Sequence, residues 1–434
     1  MARLVYPIRP VQHAISVENP SLFVTPGFSP WVSNGRIDQN SFKKRWGYYL
    51  DRSLNPVVGG ITGKYVQVVA LYQTIAGTRY TIYLTDKDFI HKTGTTVSYG
   101  NTLYATGGIT DISASGATVN ASGTLWLANV SVGDSFILDT NHTATAEVDE
   151  NWANISAVPL NTGITLDPVY TGTTGAFDPA KTYKIRKAYS VPTNERWTWA
   201  VVDDKFCFTN GNTNVQYWAG SGYAADLNST YATKARYCIE YAGRLFLADL
   251  YIDSIREPLS LRFSKEGDPT DWTDSTAGRL DLLDTEDYIF GLGKVGSYLV
   301  IYKQNNIMVY GRTGDATNPI RMAADRRGIG CVAPYSIIEF MGTNAFVGRE
   351  DFYIMDGDMP SAIGGPIRDK FFSMVGYTEI ERVFGGVCPN LNELYWVANT
   401  LNDGQITFIY NFKSKEWYTA QWDGDMTTFG RGAL

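Results

Sequence analysis

The sequence predicts an all-β protein: a six-bladed β-propeller with a small inserted β-barrel or sandwich domain. Polar and apolar residues alternate through most of the chain, as at residues 80–84 and 244–248, and helical periodicity is rare. Such alternation is typical of strands with one buried face. A loose repeat of strand, polar turn and strand also recurs along the chain, and one segment of different composition interrupts it.

The spacing of this repeat indicates propeller blades. Equivalent points are separated by 39, 54, 46 and 49 residues, and a four-stranded blade takes about 40 to 50 residues. The points are Phe206, Leu245, Leu299, Ala345 and Leu394. A further copy around Tyr80 gives six blades, provided that the long interval before residue 206 contains an insertion.

Composition favours many short strands joined by tight turns. Of the 434 residues, 14% are aromatic, 19% are charged and 42 are glycine, a balance that suits strands and turns. The only helices that we predict are short, at residues 369–374 and 378–383.

The interrupting segment covers residues 95–192 and is rich in Thr, Gly, Ala and Ser. A hairpin pattern at residues 132–138 and strand patterns at residues 162–167 and 183–186 predict the inserted barrel or sandwich. The propeller then takes residues 61–94 and 193–425. Residues 1–60 form an N-terminal arm and docking segment, and residues 426–434 form a C-terminal tail.

Charge and hydropathy exclude two classes of protein. The net charge is −7, and the 37 Lys and Arg residues are scattered, whereas a sequence-reading nucleic-acid binder carries a basic stripe. No run approaches the roughly 20 apolar residues of a membrane span.

Pro7, Arg9 and Pro10 interrupt the N-terminus, so we expect no signal peptide and synthesis in the cytoplasm. Because the cytoplasm is reducing, we also expect free thiols at all four cysteines.

No catalytic, cofactor or metal site is predicted. The three histidines lie in unrelated segments, and the G-x-G-x-x-G pattern at residues 291–296 is followed by a strand rather than the helix that a dinucleotide site needs. Residues 263–272 resemble the Asp-box turn of sialidase-like propellers, which is structural. The Asp-Gly-Asp segments at residues 356–358 and 423–425 are interpreted as turns.

Two groups of motifs resemble a known family. The first is TPGFSPWVSNGR at residues 25–36 with KKRWG at residues 43–47. The second is an ordered series of propeller motifs, which begins with RFSKEGDPTDW at residues 262–272 and continues at residues 289–292, 299–302, 307–310, 328–333 and 351–357. Together they resemble podovirus-type bacteriophage tail hub, nozzle and packaged-DNA stabilisation proteins. The segment around residues 132–134 is similar to the accessory barrel of that family.

The resemblance implies a structural virion protein of the tail, assembled in the host cytoplasm. It implies a homo-hexamer beneath the portal and adaptor proteins, in contact with tail fibre or tail needle proteins. Genomic DNA would pass through the lumen without sequence-specific binding, and no membrane, cofactor or enzymatic activity is implied.

Candidate assembly-interface residues lie in the N-terminal arm. Trp31, Arg36, Arg45 and Trp46 could anchor the arm to a neighbouring subunit, or pack beneath the first blade. The main rival is a carbohydrate-binding or glycan-hydrolysing propeller, such as a receptor-binding or depolymerase-like protein. Hydrolysis would require paired carboxylates and an arginine cluster at the mouth of the propeller.

Overall fold

The computed structural model describes residues 66–94, 96–139, 152–227, 230–231, 233–365, 367–422 and 426–429. It also gives the backbone of two short strands that pair as an antiparallel hairpin, β1 (Gly35–Asp38) and β2 (Ser41–Lys44). No helix in the described ranges is long and apolar enough to cross a membrane.

Blade one is a four-stranded antiparallel meander in which the strands pair in chain order. It comprises β3 (Val66–Gln73), β4 (Arg79–Thr85), β5 (Phe89–Thr93) and β6 (Thr96–Tyr99). The last of these strands falls within 95–192, the range predicted for the insertion, so the propeller continues to Tyr99.

The next segment forms one eight-stranded antiparallel sheet in the order β13-β8-β9-β12-β11-β10-β14-β7. Its buried core is its own and centres on Trp126, Phe136 and Tyr183. The interpretation of residues 95–192 as an inserted barrel or sandwich domain stays a prediction. The elements are β7 (Leu103–Tyr104), β8 (Gly108–Ile112), β9 (Thr118–Ser122), α1 (Trp126–Asn129), β10 (Ser135–Leu138), β11 (Ala153–Leu160), β12 (Gly163–Leu166), β13 (Gly175–Lys181) and β14 (Tyr183–Arg186).

Five more four-stranded meanders follow. Blade two has β15 (Thr198–Val202), β16 (Lys205–Thr209), β17 (Gln216–Trp218) and β18 (Ala225–Asp226). Blade three has β19 (Lys234–Tyr241), β20 (Arg244–Ile252), β21 (Ile255–Phe263) and β22 (Gly278–Asp281). Blade four has β23 (Ile289–Val295), β24 (Tyr298–Lys303), β25 (Asn306–Arg312) and β26 (Ile320–Arg327).

Blades five and six complete the set. Blade five has β27 (Ile338–Phe340), β28 (Thr343–Val347), β29 (Phe352–Met355) and β30 (Ser361–Ala362). Blade six has β31 (Phe384–Cys388), β32 (Glu393–Asn399), β33 (Gln405–Asn411) and β34 (Glu416–Ala420). The helix α2 (Arg368–Met374) and a 3-10 turn at Ile380–Arg382 connect them, which confirms the two predicted helical segments.

The six blades form a β-propeller, as the sequence predicted. First strands of consecutive blades contact one another, from β15 through β19, β23 and β27 to β31, so the first strand of each blade is the innermost. The repeat was also registered correctly, because all six equivalent points lie in the second strand of a blade. These are Tyr80, Phe206, Leu245, Leu299, Ala345 and Leu394.

Large aromatic side chains pack the blades against each other. Between blades one and two, the rings of Phe89 and Phe206 stack at 6.3 Å between centroids. Between blades five and six, Phe352 lies 4.7 Å from the ring of Trp417. Comparable buried clusters join blades two to three, three to four and four to five. In the described part of the chain, the other face of blade one has a cluster of its own around Tyr83.

His91 of β5 is enclosed by the aromatic cluster of blades one and two. Its ring stacks on Trp218 at 4.6 Å and meets the edge of Tyr80 at 5.7 Å. Burial lowers the pKa of His91 from 6.5 to about 4, because the apolar surroundings penalise the charged imidazolium.

The stability of the fold should therefore fall in acid partly through His91. Because the pKa is lower in the folded chain, the unfolded chain takes up the proton first as the pH drops from 6.5 toward about 4. The His91 contribution is complete above pH 6.5, and its loss in acid is on the order of 3 kcal/mol. Urea unfolding of wild type and His91→Phe at pH 7.5 to 4 measures it. The difference between the two proteins should change only below pH 6.5, and parallel curves would refute the assignment.

Candidate functional site: the axial cavity

A cavity of about 330 Å³ lies on the propeller axis. All six blades line it, through residues at or near the first strand of each blade. Its lining mixes aromatic, aliphatic and polar residues, and it includes Trp199, Tyr335, Phe384 and Phe429, with Arg196 as the charged group. Concave sites in which apolar walls carry a few placed polar groups are the usual form of small-ligand pockets, and this cavity is more polar than that form.

Local sequence explains why the blades can converge here. Gly291 in β23 and Gly385 in β31 face blade five at the axis. A Cβ at these two positions would approach side-chain atoms of Ile337 and Ile338 to 2.4 Å and 2.6 Å, respectively. The absence of a Cβ at these two glycines leaves room for the isoleucine side chains of blade five. Pro334 starts the 3-10 turn that precedes β27 and presents Tyr335 to the cavity.

Glu195 joins three blades across the axis. It lies just before β15 of blade two, and its Oε2 accepts a hydrogen bond of 2.6 Å from the Tyr335 hydroxyl of blade five. Arg236 of blade three donates to the same carboxylate, with Nε 3.0 Å from Oε2 and Nη2 2.9 Å from Oε1. Charge-assisted bonds of this kind are the stronger class of protein hydrogen bond.

The network continues outward through blade three. The Nη1 atom of Arg236 lies 3.4 Å from the fully buried Asp249 carboxylate, which also receives Nε and Nη2 of Arg256 at 2.8 Å and 2.7 Å. Burial, together with the Glu195 carboxylate, raises the pKa of Tyr335 well above its usual value. Tyr335 therefore stays a hydrogen-bond donor throughout the physiological pH range.

Arg196 contacts both ends of the ring of blades. Its guanidinium lies 4.0 Å above the ring of Phe384 in blade six, and Nη2 donates to the Gln67 carbonyl of blade one at 3.3 Å. Nη2 also donates to the carbonyl of Thr427. Burial lowers the pKa of Arg196 to about 10, so the side chain remains charged at neutral pH.

Residues 426–429 cover one side of this cavity. The backbone of Met426 forms two hydrogen bonds with the side-chain amide of Gln405. Nε2 of Gln405 donates to the Met426 carbonyl at 3.0 Å, and the Met426 amide donates to Oε1 of Gln405. Phe429 lies over Gly386, where a Cβ would come within 2.3 Å of its ring, and stands 5.8 Å from Phe384. The segment predicted as a tail thus packs on blade six in its described part.

The side chains of the residues predicted for assembly are outside the part of the chain that the structure describes. Arg36 falls in β1, where the backbone alone is described, and Trp31, Arg45 and Trp46 lie outside the described residues. The axial cluster of Glu195, Arg196, Arg236 and Tyr335 was missed by sequence reasoning. No motif contains these residues, so only the register of the blades could have indicated that they meet.

Other predicted features can be placed. Residues 291–296 form β23 and the turn after it, as the strand interpretation requires. Cys207, Cys238 and Cys331 are buried free thiols, and Cys388 is a half-buried one. Trp272 of the Asp-box-like turn packs into the core between blades two and three. Among the described residues, no three His, Cys, Asp or Glu side chains are grouped to hold a metal.

Comparison with known proteins gives structural likenesses only. No family model and no curated protein matches the chain. Among solved structures it is similar to the phage phi92 endosialidase, with 13% identity and a TM-score of 0.25 over 92% of this chain and 64% of the other. It is also similar to apo AztD from Citrobacter koseri, with 11% identity and a TM-score of 0.33 over 83% of this chain and 82% of the other.

One sequence prediction is corrected by this comparison. The chain was expected to have no enzymatic activity, yet one matched structure is an endosialidase, a glycan hydrolase. A propeller therefore gives no ground for excluding catalysis, and the exclusion is wrong as an inference from the fold. The chain spans 64% of the endosialidase's length, and identity this low concerns the fold alone.

The cross-axis bond between Tyr335 and Glu195 should contribute measurably to stability. Tyr335→Phe removes one hydrogen bond to a charged acceptor, and the free energy of unfolding should fall by about 1.5–3 kcal/mol in urea denaturation. Tyr377→Phe is the matched control, because Tyr377 is 94% exposed, and it should change stability by less than about 0.5 kcal/mol.

A double-mutant cycle identifies the partner. In a Glu195→Gln background, Tyr335→Phe should cost less than it does in wild type, because the charged acceptor is already gone. Equal costs in the two backgrounds would mean that the bond contributes nothing.

Proposed function

We propose that the chain is a structural virion protein, a tail hub or nozzle of a podovirus-type phage. In this proposal six copies form a ring below the portal and adaptor, retain the packaged DNA and conduct it during ejection. The ordered motif series in the sequence and the six-bladed fold support it. The main structural observation behind the proposal is that side chains close the axis of the propeller.

The closed axis determines where DNA would pass. Glu195, Tyr335 and Arg196 cross the axis, and the remaining space of about 330 Å³ is far too small for a duplex. A single copy would therefore act as a rigid disc, and the lumen would lie between copies. We expect the lumen face to be neutral to acidic, consistent with the net charge of −7, since DNA must slide past it without being held.

The eight-stranded sheet offers a contact surface for assembly. Leu125, Leu127 and Leu160 are 56%, 58% and 60% exposed. The Asn161 side chain accepts from the Leu127 amide, which brings the segment of Leu125 and Leu127 close to the neighbour of Leu160 in sequence. Grouped exposed leucines are typical of protein contacts. We propose that this apolar edge, together with Trp31, Arg36, Arg45 and Trp46 of the N-terminal arm, contacts neighbouring copies.

Imaging tests this proposal. Negative-stain images of purified protein mixed with portal and adaptor should show a six-fold ring on the tail axis. Leu127→Asp should abolish the ring while leaving a folded monomer, because a charge at the apolar edge opposes its burial. Met341→Asp is the control, since Met341 is 82% exposed and lies in the turn between β27 and β28. Protein that stays monomeric with portal and adaptor present would contradict the hub.

A glycan-binding or glycan-hydrolysing propeller is the second candidate. The observation that favours it is the aromatic axial cavity with the charged Arg196 in its wall. Incubation with polysaccharide from the host surface, followed by assays for retained glycan and for new reducing ends, tests it. Retained glycan that is lost in a folded Arg196→Gln would establish binding at the axis, and new reducing ends would establish hydrolysis by the chain. Neither retention nor release would eliminate this candidate.

A further inference from the structure

Arg196 is a charged side chain in a wall that offers it no counter-charge. In the described part of the chain it forms no ion pair, and its hydrogen bonds there run from Nη2 to the carbonyls of Gln67 and Thr427. Nε and Nη1 are therefore left without a described protein acceptor. The described lining of the cavity contains no acidic side chain.

The carboxylate of the preceding residue is already engaged by another cation. Glu195, the residue before Arg196, receives two bonds from Arg236 and a third from Tyr335. This pairing satisfies the Glu195 charge within the protein. The adjacent guanidinium of Arg196 is fixed by its stacking on Phe384 at 4.0 Å, which holds it at the cavity wall in a defined orientation.

A half-buried guanidinium that lines a cavity without a counter-charge favours an external anion. Charged groups away from water are costly unless paired, and arginine binds carboxylates with several directed N–H donors. Burial lowers the pKa of Arg196 to about 10, which is the mark of a charge whose desolvation is not compensated by a neighbouring carboxylate.

The rest of the cavity indicates the size and character of such an anion. A volume of about 330 Å³ is at the lower end of the range for small-molecule pockets. Trp199 lines the cavity and is 39% exposed. Its ring stacks on the ring of Phe206 with 5.3 Å between centroids, which fixes the orientation of the Trp199 ring. An aromatic face beside a guanidinium suits a compact ring that has an apolar face and carries an acidic group.

We propose that the axial cavity binds a small cyclic carboxylate, of the size and chemistry of a uronic acid, with its carboxylate on Arg196 and its ring against Trp199. This site is independent of the proposed hub role, because it lies inside one propeller rather than between copies. Ring assembly and ligand binding can therefore fail separately.

Isothermal titration with glucuronate as the probe tests the site. Wild type should bind glucuronate, and glucose, which lacks the carboxylate, should bind at least about tenfold more weakly, since a hydrogen bond to a charged group is worth about 1.5–3 kcal/mol. Arg196→Gln should lose a similar factor. Arg349→Gln is the matched control, because Arg349 is exposed and lies in the loop after β28, and it should bind as wild type does.

Two measurements keep the result interpretable. Thermal unfolding establishes whether Arg196→Gln is folded, since Arg196 also contacts blades one and six. Should it unfold, Trp199→Ala removes the aromatic face proposed to contact the ring and should weaken glucuronate binding severalfold. Absence of glucuronate binding to wild type, equal binding of glucose, or unchanged binding by a folded Arg196→Gln would each overturn the proposal.

Discussion

Closure of the ring is the constraint on which the rest of the structure depends. A propeller with a gap between two blades would expose strand edges and aromatic faces, and open edges are templates for aggregation. Consecutive blades are joined by buried hydrophobic clusters from blade one to blade six. Polar bonds across the axis add a second kind of link: Tyr335 and Arg236 meet on Glu195, and Arg196 contacts blades one and six.

Much of the fold could be predicted from the sequence because a blade is a local structure. Alternating patterns and turn residues specify each meander, so the repeat around Leu245 or Leu394 was visible without knowledge of its neighbours. The fourth strand of blade one was not recognised, because Thr96–Tyr99 follows directly on a Thr-rich turn and shares its composition. The strand order of the eight-stranded sheet could not be read either, since its pairings join strands far apart in sequence.

The candidate site was harder to predict for a physical reason. Glu195, Arg236 and Tyr335 are spread over 140 residues. They meet because each lies near the start of a first strand, and the first strands of the blades surround one axis. None belongs to a motif, and in isolation each resembles an ordinary surface residue beside a strand. A propeller whose axis is crossed by side chains, with an accessory sheet, suits the proposed assembly component. The cavity beside those side chains suits a small ligand. The two roles use different surfaces.

Native-state hydrogen exchange tests closure of the ring most directly. If the cross-axis bonds and blade contacts make the ring one cooperative unit, the amides of β3, β15, β19, β23, β27 and β31 should open with the same free energy. Tyr335→Phe should then lower protection in all six blades by the same amount, although the substitution lies in blade five alone. Blades that open one at a time, with the effect of Tyr335→Phe confined to blade five, would contradict the account.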